Sequence, residues 1–402
     1  MPSAPDRLTV AATAPAATTP RFRLILRYHI DPGFAAAERV SELVRFCEQA
    51  QVAEVMLFTT PEELSAGHPT RAELEPYTRM GLQQALANAG IALSVNPWTT
   101  TYHLSRGRRL RPGQDFRRMV GANGVVSPIA VCPLCAAWQN WLCETFVFLA
   151  TGLEPTAIWV EDDWRLHNHG AALGWGGCFC EVHLRRFSEA VNKHVDRTRL
   201  LQAVTKPGTP HPWRQTWLQL CRDTLLEPAR RLRQALNNTA PTVRLGLMSS
   251  VPDIHSAEGR DWHALQQTLG QTPAFLIRPH LPPYTELRPL STTPSATRQT
   301  LANLKPPLEI YPELENSPRS GPYSKSGAYS VWECLHAACF GSHGITINHF
   351  DMMGNGTALD PDFGAVLARA KPRLDALAQL QLDDRRAAGV RALFNPRISE
   401  FL

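Results

Sequence analysis

Short apolar runs recur along the chain and alternate with longer stretches whose apolar positions repeat at helical spacing. The runs at 22–29, 54–59, 92–97, 157–161, 243–249, 274–278, 308–314 and 345–350 predict strands. The stretches at 36–50, 71–88, 136–150, 183–194, 213–237, 297–304, 329–340 and 361–380 predict amphipathic helices. Strict alternation of strand and helix implies parallel strands joined by right-handed crossovers. Eight such units predict an α/β fold, a closed (β/α)8 TIM barrel, rather than an open doubly wound sheet. No glycine-rich dinucleotide loop follows the first strand, which argues against the open sheet. The barrel domain is expected over 21–385. Residues 1–20, rich in Ala, Thr and Pro, read as a disordered tail that lacks the basic and apolar regions of a signal peptide. Within 386–402, Gly389-Val390-Arg391-Ala392-Leu393-Phe394 reads as a last strand or the start of a truncated second domain.

The chemistry concentrates where the fourth strand ends. Ala157-Ile158-Trp159-Val160 runs directly into Glu161-Asp162-Asp163-Trp164-Arg165. Three adjacent carboxylates repel one another and are costly unless partners or function hold them. The seventh strand ends in a second acidic group, Glu313-Leu314-Glu315-Asn316. Side chains alternate along a strand, so Glu161 and Asp163 share one face, as do Glu313 and Glu315. Strands four and seven lie across a closed eight-stranded barrel, and active sites form at the C-terminal strand ends. Two carboxyl groups facing each other across a sugar are what glycosidic hydrolysis requires. Asn96, Trp98, Asp162, Arg165, His167, His280, His349 and Asp351 also fall at strand ends or in the following loops, where they are expected to bind substrate, as do His103 and Arg278. A catalytic divalent metal on Asp162, Asp163, His167 and His169 is the competing expectation, acting on a sugar-like substrate. A barrel that binds carbohydrate without turnover is the third. Cys178, Cys180 and His183 have the close spacing of zinc ligands, and Cys132 or Cys135 supplies a fourth from the preceding loop.

These motifs resemble the retaining (β/α)8 glycoside hydrolases of clan A, and especially the family 42 β-galactosidases. In that family the fourth strand ends in Asn-Glu after a Trp, and the Glu is the acid/base. Here the corresponding places hold Asp162 and Asp163. The family's nucleophile lies in a Glu-x-x-Pro context, matched by Glu315-Asn316-Ser317-Pro318. The resemblance therefore implies a retaining glycosidase, with β-galactosides among its expected substrates. Glu315 would be the nucleophile and Asp163 the acid/base, with Glu161 and Glu313 as understudies. Family 42 enzymes also carry one Cys upstream of Cys-x-Cys-x2-Cys. The similar set here, Cys132, Cys178, Cys180 and His183, implies a structural zinc, with His183 in place of the last Cys. No organic cofactor is implied.

Composition narrows the remaining classes. The chain has 402 residues, 44% of them hydrophobic and 19% charged, with a net charge of +5. Its arginines are scattered without an aromatic-rich basic motif, so no nucleic-acid partner is expected. No apolar run is long enough for a membrane span. Nine cysteines, several at metal-like spacing, favour a reducing cytoplasm over a disulfide framework. The sequence leaves the oligomeric state open, a homo-oligomer included.

Overall fold

The computed structural model describes residues 20–382 apart from 62–63, 251, 272, 288–292 and 317–323. The expected N-terminal tail, the segment 389–394, and Ser317 and Pro318 of the seventh-strand motif lie outside the described residues. The strands are β1 (Arg23–Tyr28), β2 (Glu54–Thr59), β3 (Ala92–Pro97), β4 (Arg118–Val120), β5 (Val126–Val131), β6 (Ala157–Val160), β7 (Arg244–Ser249), β8 (Phe275–Pro279), β9 (Leu308–Ile310), β10 (Glu313–Glu315) and β11 (Gly344–Asn348). All but β4 and β5 form one parallel sheet in the order β10-β11-β1-β2-β3-β6-β7-β8-β9.

The two ends of that sheet are the two halves of one strand. β9 and β10 are separated only by Tyr311-Pro312. Pro312 has no N–H to give to a ladder. The N–H of Tyr311 still donates to Ile277 O of β8 at 3.0 Å, while Pro312 O accepts from Thr346 N of β11 at 2.9 Å. The seventh strand thus hands over from β8 to β11 at the proline. Eight strands close into a (β/α)8 barrel, as expected, but the seventh is broken where the sequence pattern reads as continuous.

Alternation sorts the barrel interior into layers. At the N-terminal end, Arg23 pairs with Glu54 at 2.7 Å and Arg244 with Glu309 at 2.8 Å. Above them lies an apolar layer of Ile25, Met56, Ala157, Trp159, Met248, Leu276 and Tyr311. Trp159 fills the space left by Gly246 on the neighbouring strand, where an added Cβ would lie 2.4 Å from the indole ring. Gly246→Ala is therefore expected to overpack this layer and cost about 1–3 kcal/mol, read as a lower denaturation midpoint in urea. A midpoint equal to wild type would show that the layer has room to relax.

The helices pack outside the sheet through one large apolar core. Two departures from the sequence pattern have local causes. The stretch expected as one helix over 71–88 is two, Arg71–Arg79 and Leu82–Asn88, because Gly81 takes a left-handed conformation at φ +77°. The long loop after β3 contains the antiparallel β4–β5 pair. Among the described residues, no helix is long and apolar enough to cross a membrane.

Candidate active site

The third inward layer, above the apolar one, is ionic. Arg27 of β1 and Arg278 of β8 point inward and are buried, as are Glu161, just after β6, and Glu313 of β10. Arg27 Nη2 lies 2.7 Å from Glu161, and its Nη1 3.6 Å from Glu313. Arg278 bridges the same two carboxylates, touching Glu161 at 3.3 Å and Glu313 through its other terminal nitrogen. Two cations and two anions close a neutral ring across the barrel. Such a quartet survives burial only because every charge has a partner. Asn96 joins the ring by accepting from Arg27 Nε at 2.8 Å. Tyr284 Oη donates to Glu313 at 3.1 Å and accepts from His280 Nδ1 at 2.7 Å. Burial disfavours the Glu313 carboxylate, but Arg278, Arg27 and His280 outweigh it and hold it well below the ordinary range.

Glu315, two residues further along, has the opposite fate. It sits half-buried at the rim, where burial and the adjacent Glu313 charge push it up to about 8. Two residues apart, the arginines favour the charged form of Glu313, and burial beside that charge favours the protonated form of Glu315.

The three acids after β6 separate just as sharply. Asp163 is 0% exposed, and its carboxylate is surrounded by the loop after β3. It accepts from Thr100 N at 2.9 Å and Tyr102 N at 2.6 Å, and from the Thr100 hydroxyl. This geometry staples the loops after β3 and β6 together and offers no oxygen to a ligand. Asp162 instead lies half-buried at the mouth. His103 Nε2 holds one of its oxygens and Ser250 donates to the other, with Arg165 at 3.7 Å. Burial opposes its charge, but His103 and Arg165 keep it well below the usual aspartate range. Only Asp162 and Glu315, of the five acids in the two motifs, are more than marginally exposed.

Other expected binding residues divide by what they touch. Trp98 is half-buried and stacks on His103 at 4.6 Å, so it and His280 stand at the mouth. Arg165 is buried against Ser250 at 3.2 Å and His169 at 3.0 Å. His167 is bonded to Glu258, which also accepts from Leu166 N. His349 is stacked on Phe363 at 3.6 Å and bonded to Asn316 at 2.6 Å and Asp360 at 2.9 Å. Asp351 caps its own turn through Met353 N at 3.0 Å and Asn355. The structure therefore gives His167, His349 and Asp351 hydrogen-bond partners of their own around the strand ends. Arg27, Tyr284 and Ser250 are site residues that the motif reading passes over. Arg27 had a signal: it is a charge at an inward position of the otherwise apolar Leu24-Ile25-Leu26 strand.

A second cluster lies beyond the loop that follows Asp163. Cys132, Cys178, Cys180 and His183 are buried, with their four ligand atoms within 4.8 Å of one another. Cys180 Sγ is 3.3 Å from His183 Nδ1 and 3.8 Å from Cys132 Sγ, and Cys132 Sγ is 3.7 Å from the same nitrogen. Bonds of 2.0–2.3 Å to a tetrahedral zinc imply edges of about 3.5 Å. The Thr224 hydroxyl donates to Leu220 O, so it accepts from His183 Nε2–H at 3.1 Å, which leaves the Nδ1 lone pair facing the sulfurs. The donor set fits zinc.

Solved structures with this architecture are numerous. A cold-adapted β-galactosidase from Rahnella sp. R3 superposes with a TM-score of 0.59 at 13% identity, covering 91% of this chain and 57% of that one. A GH42 β-galactosidase from G. stearothermophilus gives 0.59 at 12% identity, covering 89% of this chain and 57% of the other. The likeness is one of fold. A β-amylase catalytic domain from Paenibacillus polymyxa, matched over its whole length, gives 0.51 at 14% identity and 89% of this chain. The chain spans 57% of each of those two β-galactosidases. No protein-family model matches it, and no curated protein matches its sequence.

Proposed function

We propose that this barrel hydrolyses the glycosidic bond of a carbohydrate, with Glu315 as proton donor and Asp162 as the ionised carboxylate facing it. The observation that carries this reading is the opposite surroundings of the two partly exposed acids at the mouth: Asp162 is held by His103, Ser250 and Arg165, which favour its charge, and Glu315 lies beside the Glu313 charge, which disfavours it. One comes from strand four and the other from strand seven. Environments that push two carboxyl groups apart in pKa divide acid from base or nucleophile. Glu315 would protonate the leaving oxygen. Asp162 would attack the anomeric carbon to give a glycosyl ester, which water then hydrolyses with the now deprotonated Glu315 as base, or it would activate water directly if the substrate holds it further away. Arg27, Arg278 and Glu313 would form the charged floor beneath, and Trp98 offers a half-exposed ring for a sugar face. The solved glycosidases of the same fold support the substrate class, with β-galactosides to be tried first. This division of labour differs from the one the family 42 motifs imply, because Asp163 is enclosed and the surroundings of Glu315 favour its protonated form.

A structural zinc on Cys132, Cys178, Cys180 and His183 belongs to the same proposal. It would tie the segment after the fourth strand to the loop carrying Cys132, outside the chemistry.

The test is release of nitrophenol from a panel of nitrophenyl glycosides, followed by the pH dependence of the one cleaved. The active form needs protonated Glu315, so kcat/KM is expected to fall as pH rises through about 8. Asp162, ionised well below the usual aspartate range, adds no acid limb near neutrality. No cleavage across α- and β-linked members of the panel would sink the hydrolase reading.

A further inference from the structure

Asp162 is held by a histidine, His103, and the ligand atoms of these two and Glu161 lie within 4.8 Å of one another. His103 lies in the loop after β3, with a side chain 8% exposed. Its Nε2 meets Asp162 Oδ1, while its Nδ1 is buried without a hydrogen-bond partner among the described residues. The ring stacks on Trp98, 4.6 Å away at 15°, and lies nearly parallel to His169, 6.0 Å away at 14°. His169 N also donates to His103 O at 2.9 Å, and Thr101 donates to Asp163 O. The two loops therefore fix the backbone, the two rings fix the imidazole plane, and a single nitrogen is left to fix the carboxylate. An ionised carboxylate only accepts, so Nε2 must carry the proton.

We propose that His103 is a positioning residue for Asp162, aiming the carboxylate into the mouth through a charge-assisted hydrogen bond. The kinetic part of this inference rests on the glycosidase reading, whereas the geometric part does not. The other groups facing the pair are Arg165, Asp163, Glu161 and Ser250 around the carboxylate, Arg278 from β8, and His169 against the imidazole. Burial would lower the His103 pKa, but Asp162 outweighs it and raises it. Burial and Arg165 lower His169 to about 4, so it remains neutral and does not compete for Asp162.

The experiment follows the Asp162 carboxyl carbon by NMR in protein labelled with 13C at aspartate side chains, its signal identified by its loss in Asp162→Asn. His103→Phe keeps a ring for the stack but removes the donor. His103→Gln keeps a donor without the charge. In wild type the Asp162 signal should stay at its ionised position below pH 4. In His103→Phe its titration should move up by more than one pH unit, with His103→Gln in between. If the barrel is a glycosidase, kcat should fall about 10- to 100-fold in His103→Phe at nearly constant KM and recover largely in His103→Gln. An unchanged Asp162 titration in folded His103→Phe overturns the proposal. Should that variant not fold, an unchanged titration in His103→Gln does so. A shifted titration in a protein that cleaves no glycoside would leave the positioning role standing and remove the glycosidase reading instead.

Discussion

Glu315→Gln is expected to keep the fold and to lose turnover of glycosides with poor leaving groups by about 10²- to 10⁴-fold. Activated dinitrophenyl glycosides, which leave without protonation, should keep a kcat/KM near that of wild type, with kcat lowered where a glycosyl ester must be hydrolysed without Glu315 as base. The amide cannot donate a proton to the leaving oxygen, yet it retains the shape of a side chain whose surroundings favour the protonated form in wild type. Little electrostatic rearrangement therefore accompanies the change. Asp162→Ala should behave differently and lose both substrate classes. If Asp162 is the nucleophile, added azide should restore cleavage of the activated substrate as the glycosyl azide, because the small anion enters the space the carboxylate left. The comparison separates the two assignments of strand seven. If Glu315→Gln also abolishes cleavage of activated glycosides, Glu315 attacks rather than protonates, as the motif comparison implies. If both variants keep full activity on every substrate, Glu313 and Glu161 become the groups to change.

Much of this arrangement is legible in the sequence, for reasons that differ by element. The strands that end in Thr59 and Pro97 coincide with their apolar runs because both sheet faces are buried, and burial on both sides leaves a continuous hydrophobic signal. The broken seventh strand is not legible from hydrophobicity, since Tyr311-Pro312 interrupts hydrogen bonding rather than apolar character. The cysteine cluster is visible because close spacing before a helix limits where three ligands can point. The roles of the acids are not visible, because adjacency in sequence says nothing of what each carboxylate meets. Asp163 is taken by two backbone N–H groups of a loop sixty residues earlier, and backbone donors leave no mark on composition. Likewise Glu313 and Glu315 look equivalent along the chain. They part only because Arg27 and Arg278, from strands one and six, reach one of them more closely than the other.

Changing Cys180, one of the four proposed zinc ligands, to Ser should produce the largest effect away from the mouth. Zinc bound to wild type, counted by elemental analysis, is expected at one equivalent per chain and should be largely lost in the variant. Metal binding that accompanies folding contributes folding free energy directly. The contribution here is smaller than in a zinc finger, since a large barrel core persists without it. A loss of about 3 kcal/mol corresponds to a Tm lower by roughly 6–12 °C, at about 2–4 °C per kcal/mol for a large domain. The damage should be local. Cys178 and Cys180 immediately precede the helix Glu181–Ala190, and Cys132 directly follows β5. Without the ion, three buried sulfurs and an imidazole face each other with no cation between them. The segment from Trp164 to Cys180 would then become the first site of proteolysis, and chelator treatment of wild type should open the same segment. Zinc should reverse the chelator's effect in wild type and fail to do so in Cys180→Ser. A wild-type protein purified without zinc, and indifferent to chelator in both Tm and cleavage pattern, would show that the cluster is held by packing and hydrogen bonds alone. The active site offers an internal control. Asp162 and Asp163 are fixed by the loop after β3 rather than by the cysteines, so metal loss should lower stability well before it alters the pH profile of turnover.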